Sequence, residues 1–206
     1  MLQGIDGLSI TRFHDRQLEQ GGEVQQENAS PVWASIAANH RYNTLLWNEE
    51  DKARRTDVGA EQIAASKRLI DQHNQKRNDA VEALDEAILT ALAEVTPKAH
   101  ARLNSETAGA MIDRLSILSL KIFHMREQTE RHDADAEHIE RCRAKLQRLR
   151  TQRDDLVFCL DRLLTEAAAG DAYFKVYRQF KMYNDPTLNP YLYGQSQAVV
   201  PAEAMQ

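Results

Sequence analysis

The chain has 206 residues, 42% hydrophobic and 28% charged, with only 8 Gly and 5 Pro and a formal net charge of -5. That length suits one domain with a sizeable core, and the scarcity of Gly and Pro favours long helices over many-stranded sheets. The acidic balance argues against a general nucleic-acid binder, and no stretch reaches the length of a membrane span.

Residues 1–30 carry Gly4, Gly7, Gly21 and Gly22 among polar side chains. They read as a flexible, loosely ordered arm with a short helix around 9–20, and they lack the apolar core of a signal peptide. Ser30-Pro31 opens the first long helix, Ser at the cap and Pro in the first turn. It is expected to run to about 57, with Val32, Ile36, Asn43, Leu46, Glu50 and Ala53 on one face. A turn at 57–59 leads into a second helix over about 60–95, which stops at Thr96-Pro97. Its inward spacing takes Ile63, Lys67, Ile70, Asn74, Arg77, Val81, Leu84, Ile88, Leu92 and Val95. That face is apolar at both ends and polar in the middle, and Asp71, Asn78, Glu82 and Asp85 sit on its flank.

A third helix begins near Ser105 and runs to about 131; its stretch 111–125 is apolar almost all round, as suits the most buried helix. The fourth, roughly 134–168, turns Ile139, Cys142, Leu146, Leu149, Arg153, Leu156, Leu160 and Leu163 inward and stops at Gly170. A last, aromatic helix over about 172–183 leads into Asn184-Asp185-Pro186 and Asn189-Pro190, both turn formers. Seven of the 13 aromatic residues fall between Tyr173 and Tyr193, so this appendage is expected to dock on the helices or on a second subunit. Residues 194–206 read as a disordered tail. Cys142 and Cys159 stand too far apart on one expected helix to bridge, which points to a reducing cytoplasm. The expected architecture over 31–193 is an all-α, antiparallel four-helix bundle of coiled-coil type with this C-terminal appendage, forming a homodimer.

Counting outward from the turns sets one polar layer of Asn43, Trp47, Glu50, Asp51, Arg54, Lys67, Asp71, Asn74, Arg77, Asn78, Lys121 and His124. A second layer of Glu82, Asp85, Asp113 and Arg153 lies about 20 Å along the helix axis. The first layer suits a pocket for a small anionic or zwitterionic ligand. Lys67, Arg77 and Lys121 would hold phosphate or carboxylate, and Asn74 and Asn78 would orient it. A salt-bridge network that only sets helix register would use the same residues. Glu82 and Asp85, on adjacent turns, are candidates for holding Mg²⁺ beside Glu49, Glu50 and Asp51, although such pairs also occur on solvated faces. No pair of Glu-x-x-His motifs marks a di-metal bundle. Of seven histidines, only His124 lies in a strongly apolar setting, and no Ser-His-Asp order is legible.

Several ordered motifs carry a family resemblance. They are Leu46-Trp47-Asn48-Glu49-Glu50-Asp51-Lys52-Ala53-Arg54, Lys67-Arg68-Leu69-Ile70-Asp71, Asn74-Gln75-Lys76-Arg77-Asn78-Asp79, Asp113-Arg114-Leu115-Ser116 and Lys181-Met182-Tyr183-Asn184-Asp185-Pro186. Over about 32–193 the chain resembles an uncharacterised bacterial family, the domain-of-unknown-function family numbered forty-two fifty-four. The resemblance implies a bacterial protein and supplies no activity or site residue. The residues themselves point to a binding or scaffold module whose inward polar layer holds a small anionic ligand. The alternative is a Mg²⁺-dependent hydrolase or transferase acting on a nucleotide or sugar phosphate, with metal on Glu50, Asp51, Asp71, Glu82 or Asp85. Mg²⁺ is implied under that alternative alone.

Overall fold

The computed structural model describes residues 4–21, 30–178, 182 and 185–193. These form helices α1 (Gly7–Glu19), α2 (Pro31–Ala53) and α3 (Ala60–Ala91), strand β1 (Arg102–Asn104), helices α4 (Ala108–Thr129) and α5 (Ala136–Ala168), strand β2 (Ala172–Phe174) and helix α6 (Pro190–Tyr193). The fold is therefore mostly helical. The four long helices begin close to where the spacing places them, although α2 and α3 end at Ala53 and Ala91, short of the expected 57 and 95. Three of the starts are capped by a side chain, while Gly59 before α3 offers none. Ser30 accepts from the Trp33 N–H, Thr107 from Ala110 and Asp135 from His138. Ser105 was the expected opening of the third helix; the cap is Thr107, and the helix starts correspondingly later.

Pairing follows from named contacts. Tyr42 stacks on His73 with ring centroids 6.2 Å apart, and Glu49 hydrogen-bonds Ser66. As α2 advances from 42 to 49, the facing residue on α3 falls from 73 to 66. Lys121 and Gln128 of α4 share a cleft with Lys145 and Arg148 of α5, whereas Met111 and Arg114 share another with Asp155 and Cys159. The core joins both pairs through Ile36, Leu84, Ile88, Ile112, Leu115, Leu160 and Leu163. Each such side chain contributes roughly 1.5–3 kcal/mol on burial.

Within residues 1–30 the short helix expected around 9–20 forms as α1, and it is packed rather than loose. Ile10, Phe13 and His14, at i, i+3 and i+4, are buried against the long helices. Gly7 permits the approach: a Cβ there would lie 2.8 Å from Val157 Cγ1 and 3.1 Å from its Cα. The Gly7 N–H donates to Asp161 at 2.7 Å, and Arg153 pairs with Asp15 at 2.8 Å. Sequence reading had set Arg153 in a layer with Asp113, Glu82 and Asp85; its partner instead comes from α1.

The helix expected over 172–183 does not form across its described part. Gly170 takes φ 75°, and its carbonyl accepts from the Lys98 N–H at 2.9 Å. The next carbonyl, Asp171, accepts from Arg102, and residues 172–174 then pair in parallel with 102–104, Leu103 facing Tyr173. Backbone hydrogen bonds to a neighbouring segment thus displace local helix formation. Residues 175–178 are not helical, and part of the remainder lies outside the described residues, as does 194–206.

The chain divides into two compact units, Met1–Val176 and Tyr177–Gln206. In the second, the described residues hold a turn in which Asp185 accepts from Thr187, and Asn189 from the Tyr191 N–H, ahead of the single-turn α6. Cys142 is buried and Cys159 exposed, both as free thiols. Among the described residues, no helix is long and apolar enough to cross a membrane.

Candidate functional site

Every third or fourth residue of the C-terminal half of α2 turns toward a cleft. Asn43, Leu46, Trp47, Glu50, Asp51 and Arg54 form one wall, facing Asn74 and Arg77 of α3 and Ile117 and Leu120 of α4. This cleft holds about 350 Å³. Seven residues of the expected first layer meet in it: Asn43, Trp47, Glu50, Asp51, Arg54, Asn74 and Arg77. A second cleft of about 570 Å³ is lined by Trp47 and Asp51 again, with Lys121, His124 and Glu127 of α4 and Lys145 and Arg148 of α5. The two clefts meet at Trp47 and Asp51, so Lys121 and His124 rejoin the expected layer through the second.

The side chains at this junction are held in place. Trp47 and His124 stack with centroids 4.7 Å apart and planes 10° from parallel. His124 Nδ1 hydrogen-bonds Glu127 Oε2 at 2.8 Å, which fixes the ring's orientation. Arg54 Nη1 donates to the Glu50 carboxylate at 2.6 Å. Arg77 donates from Nη2 to Asn78 Oδ1 at 3.1 Å, while its Nε is buried with no hydrogen-bond partner. Lys121, Lys145 and Arg148 make no ion pair among the described residues.

The charge at the junction is positive. Arg54, Arg77, Lys121, Lys145 and Arg148 stand against the three carboxylates Glu50, Asp51 and Glu127. The chain as a whole carries -5. Local cations concentrated in a concave surface against the global sign draw anions to it.

Several expected members lie elsewhere. Lys67 and Asp71 pair with each other at 3.2 Å on the outer face of α3, with side chains 65% and 58% exposed. The inward stripe there passes through Ser66 and Ile70, one residue away, and a step of one residue rotates a side chain by about 100°. Asn78 is buried and braces Arg77 without lining either cleft. Asn74 and Arg77 face Ile117 and Leu120 rather than His124, because β1 occupies part of the α3–α4 connection and shifts the register.

Asp85, one of the two weak metal candidates, takes the Gly109 N–H at 2.6 Å and a hydrogen bond from Thr107. It thereby anchors the first turn of α4. Burial pushes its carboxyl pKa up, and the hydrogen bonds from Thr107 and Gly109 pull the other way. Gly109 is glycine for this reason, since a Cβ would lie 2.7 Å from Asp85 Oδ1 and 2.9 Å from the Val81 carbonyl. Glu82 is half-buried and outside both clefts. Among the described residues no group of three or more His, Cys, Asp or Glu is arranged to hold a metal ion.

Behind the first cleft lies a polar network in which the expected Asn43 and Asp113 meet Asn39, Ser116, His40 and His14, which sequence reasoning missed. Asp113 Oδ1 accepts from Asn39 and Asn43 Nδ2, each at 2.8 Å, and Asn43 also reaches Ser116 Oγ at 3.0 Å. Ser116 Oγ hydrogen-bonds His40 Nδ1 at 2.8 Å. His40 then stacks on His14 of α1, with centroids 4.4 Å apart and planes 21° from parallel. Both imidazoles are buried; His40 Nε2 and both nitrogens of His14 have no hydrogen-bond partner. Burial, then the neighbouring His40 and Arg153, drives the His14 pKa well below the ordinary value, and burial lowers His40 to about 4. Imidazole lone pairs lie in the ring planes, so two near-parallel stacked rings cannot share one metal ion at about 2.0–2.1 Å. His40 does lie on the stripe Ile36, His40, Asn43, which could have flagged it. His124, expected in the apolar setting, has its side chain 32% exposed.

A family model described as a protein of unknown function, DUF4254, matches residues 33–176. No curated protein and no solved structure matches the chain.

Proposed function

This chain belongs to the DUF4254 family, whose description assigns no activity, and we propose from the geometry of the clefts that it is a binding module for a small anionic ligand. The helices α2 to α5 then act as the scaffold, an antiparallel four-helix bundle, in a cytoplasmic homodimer. The observation that carries this reading is the set of unpaired cations, Lys121, Lys145 and Arg148, which share one cleft with a half-buried, stacked aromatic pair. A network serving helix register alone would pair its charges internally, and these three are not paired among the described residues. Arg77 supports the reading from the adjoining cleft. Its buried Nε is left without an acceptor, at a cost of roughly 1–3 kcal/mol, and an anion entering the junction would supply one. Hydrogen bonds from such cations are worth roughly 1.5–3 kcal/mol each.

Calorimetric titration with inorganic pyrophosphate tests the proposal. The wild-type chain is expected to bind it. Replacing Lys121 and Arg148 together by Ala should weaken binding at least about tenfold, since two charge-assisted contacts are lost, while the melting temperature moves little because both side chains are exposed. Unchanged affinity in that variant would sink the assignment.

The alternative is a Mg²⁺-dependent hydrolase or transferase acting on a nucleotide or sugar phosphate. Its cleft carboxylates would be Glu50 and Asp51, and Glu50 is already engaged by Arg54. Asp85 is engaged by Gly109, and Asp71 by Lys67 on the outer face. That donor set fits a hard cation needing several free oxygens poorly.

A further inference from the structure

We infer that the ligand is a nucleoside phosphate: its base packs against the Trp47–His124 pair and its phosphates reach Lys121, Lys145 and Arg148. This deepens the anion-binding reading and rests on it.

Cations alone would suffice for a bare phosphate or carboxylate. The wall they stand beside is aromatic. Trp47 borders both clefts and its ring is already matched by His124 at 10° from parallel, a geometry that a planar base can extend or intercalate beside. The hydrogen bond with Glu127, itself on the cleft wall, orients the His124 ring, so that half of the platform is ordered before any ligand arrives. Met125 and Leu149 complete an apolar surround for the ring.

The cations are placed on either side of that platform. Lys121 lies one helical turn before His124 on α4, and Lys145 and Arg148 lie one turn apart on α5. A phosphate group between α4 and α5 can therefore be gripped from both helices while the ring stays on Trp47. Size agrees with this division. The cleft of about 570 Å³ falls within the range of small-molecule sites, whereas a lone phosphate would fill only a small part of it. Asp51 stands at the junction of the two clefts with no ion-pair partner among the described residues. Beside three cations, a free carboxylate repels phosphate, but it accepts hydrogen bonds from ribose hydroxyls or an exocyclic amino group. That carboxylate is unexplained if the ligand is an anion and nothing more.

The test compares ADP with inorganic pyrophosphate on the full chain by calorimetry. Both present a diphosphate, and only ADP carries the nucleoside. ADP is expected to bind at least about tenfold more tightly, the size of effect one stacked base supplies. Trp47→Leu should bring ADP down to the pyrophosphate value and change pyrophosphate less than about twofold. If Trp47→Leu does not fold, His124→Ala replaces it, with the same expected loss of preference. Equal affinity of the wild-type chain for ADP and pyrophosphate overturns this inference and leaves the anion-binding reading standing. Binding of neither overturns both.

Discussion

Phe13→Ala is expected to lower the folding free energy by about 3–5 kcal/mol, the cost of removing a buried aromatic ring and leaving a cavity. Phe13 is 4% exposed and sits edge-on to Trp33 at 5.6 Å and to His40 at 6.3 Å. Its loss therefore loosens α1 from α2 at the point where the two imidazoles stack. The family match begins at residue 33, so α1 lies outside it and still supplies Ile10, Phe13 and His14 to the core. Urea unfolding of the variant measures the effect. A loss under about 1 kcal/mol, as for a surface change, would mean that α1 is not seated as described.

Acidification should destabilise the protein in a window set by the two buried histidines. In the unfolded chain both imidazoles protonate near the ordinary value of 6.5, whereas in the fold His40 does so only near 4 and His14 well below its ordinary value. Below about pH 6.5 the unfolded state thus binds protons that the native state refuses. The stability from this source is complete above that pH and is lost as pH falls toward 4. For His40 the shift corresponds to about 3 kcal/mol across the window. The groups facing the pair make this worse for a native proton: Arg153 lies close to His14, and its partner Asp15 is committed to it. Ser116 hydrogen-bonds His40 without supplying a charge, and the His14 backbone offsets only part of the effect of burial. His14→Phe keeps a planar ring in an apolar site and should flatten the pH dependence between about pH 6.5 and 5. An identical pH slope for wild type and variant, in urea titrations, would contradict the assignment.

The long helices were legible because their punctuation is local. Ser30-Pro31 and Gly170 act within a turn of where they stand, whereas Thr96-Pro97 lies five residues beyond the end of α3 at Ala91. The 3-4 spacing of Leu84, Ile88, Leu156, Leu160 and Leu163 matches their burial. The parallel strands were not legible, since 102–104 and 172–174 acquire strand geometry from each other across about seventy residues. α1 was underweighted because Gly4, Gly21 and Gly22 frame it, although Ile10, Phe13 and His14 already show a helical stripe.

The site was half legible for a related reason. On α2 the inward face is broad, so Trp47, Glu50, Asp51 and Arg54 meet whatever the register. On α3 the face is narrow, and an error of one residue put Lys67 inward where Ser66 belongs. Lys145 and Arg148 stand outside both expected polar layers. Their place opposite Trp47 depends on α5 lying against α4, which no spacing within α5 reveals.

The most direct test of the central claim is the pair of indole N–H signals in a nuclear magnetic resonance titration with pyrophosphate. The chain has 2 tryptophans, Trp47 at the junction of the clefts and Trp33 packed on Phe13. An anion bound among Lys121, Lys145 and Arg148, in the cleft that Trp47 borders, should shift the Trp47 signal in a saturable manner and leave Trp33 in place. A Trp47 signal that stays fixed at saturating pyrophosphate would contradict the account.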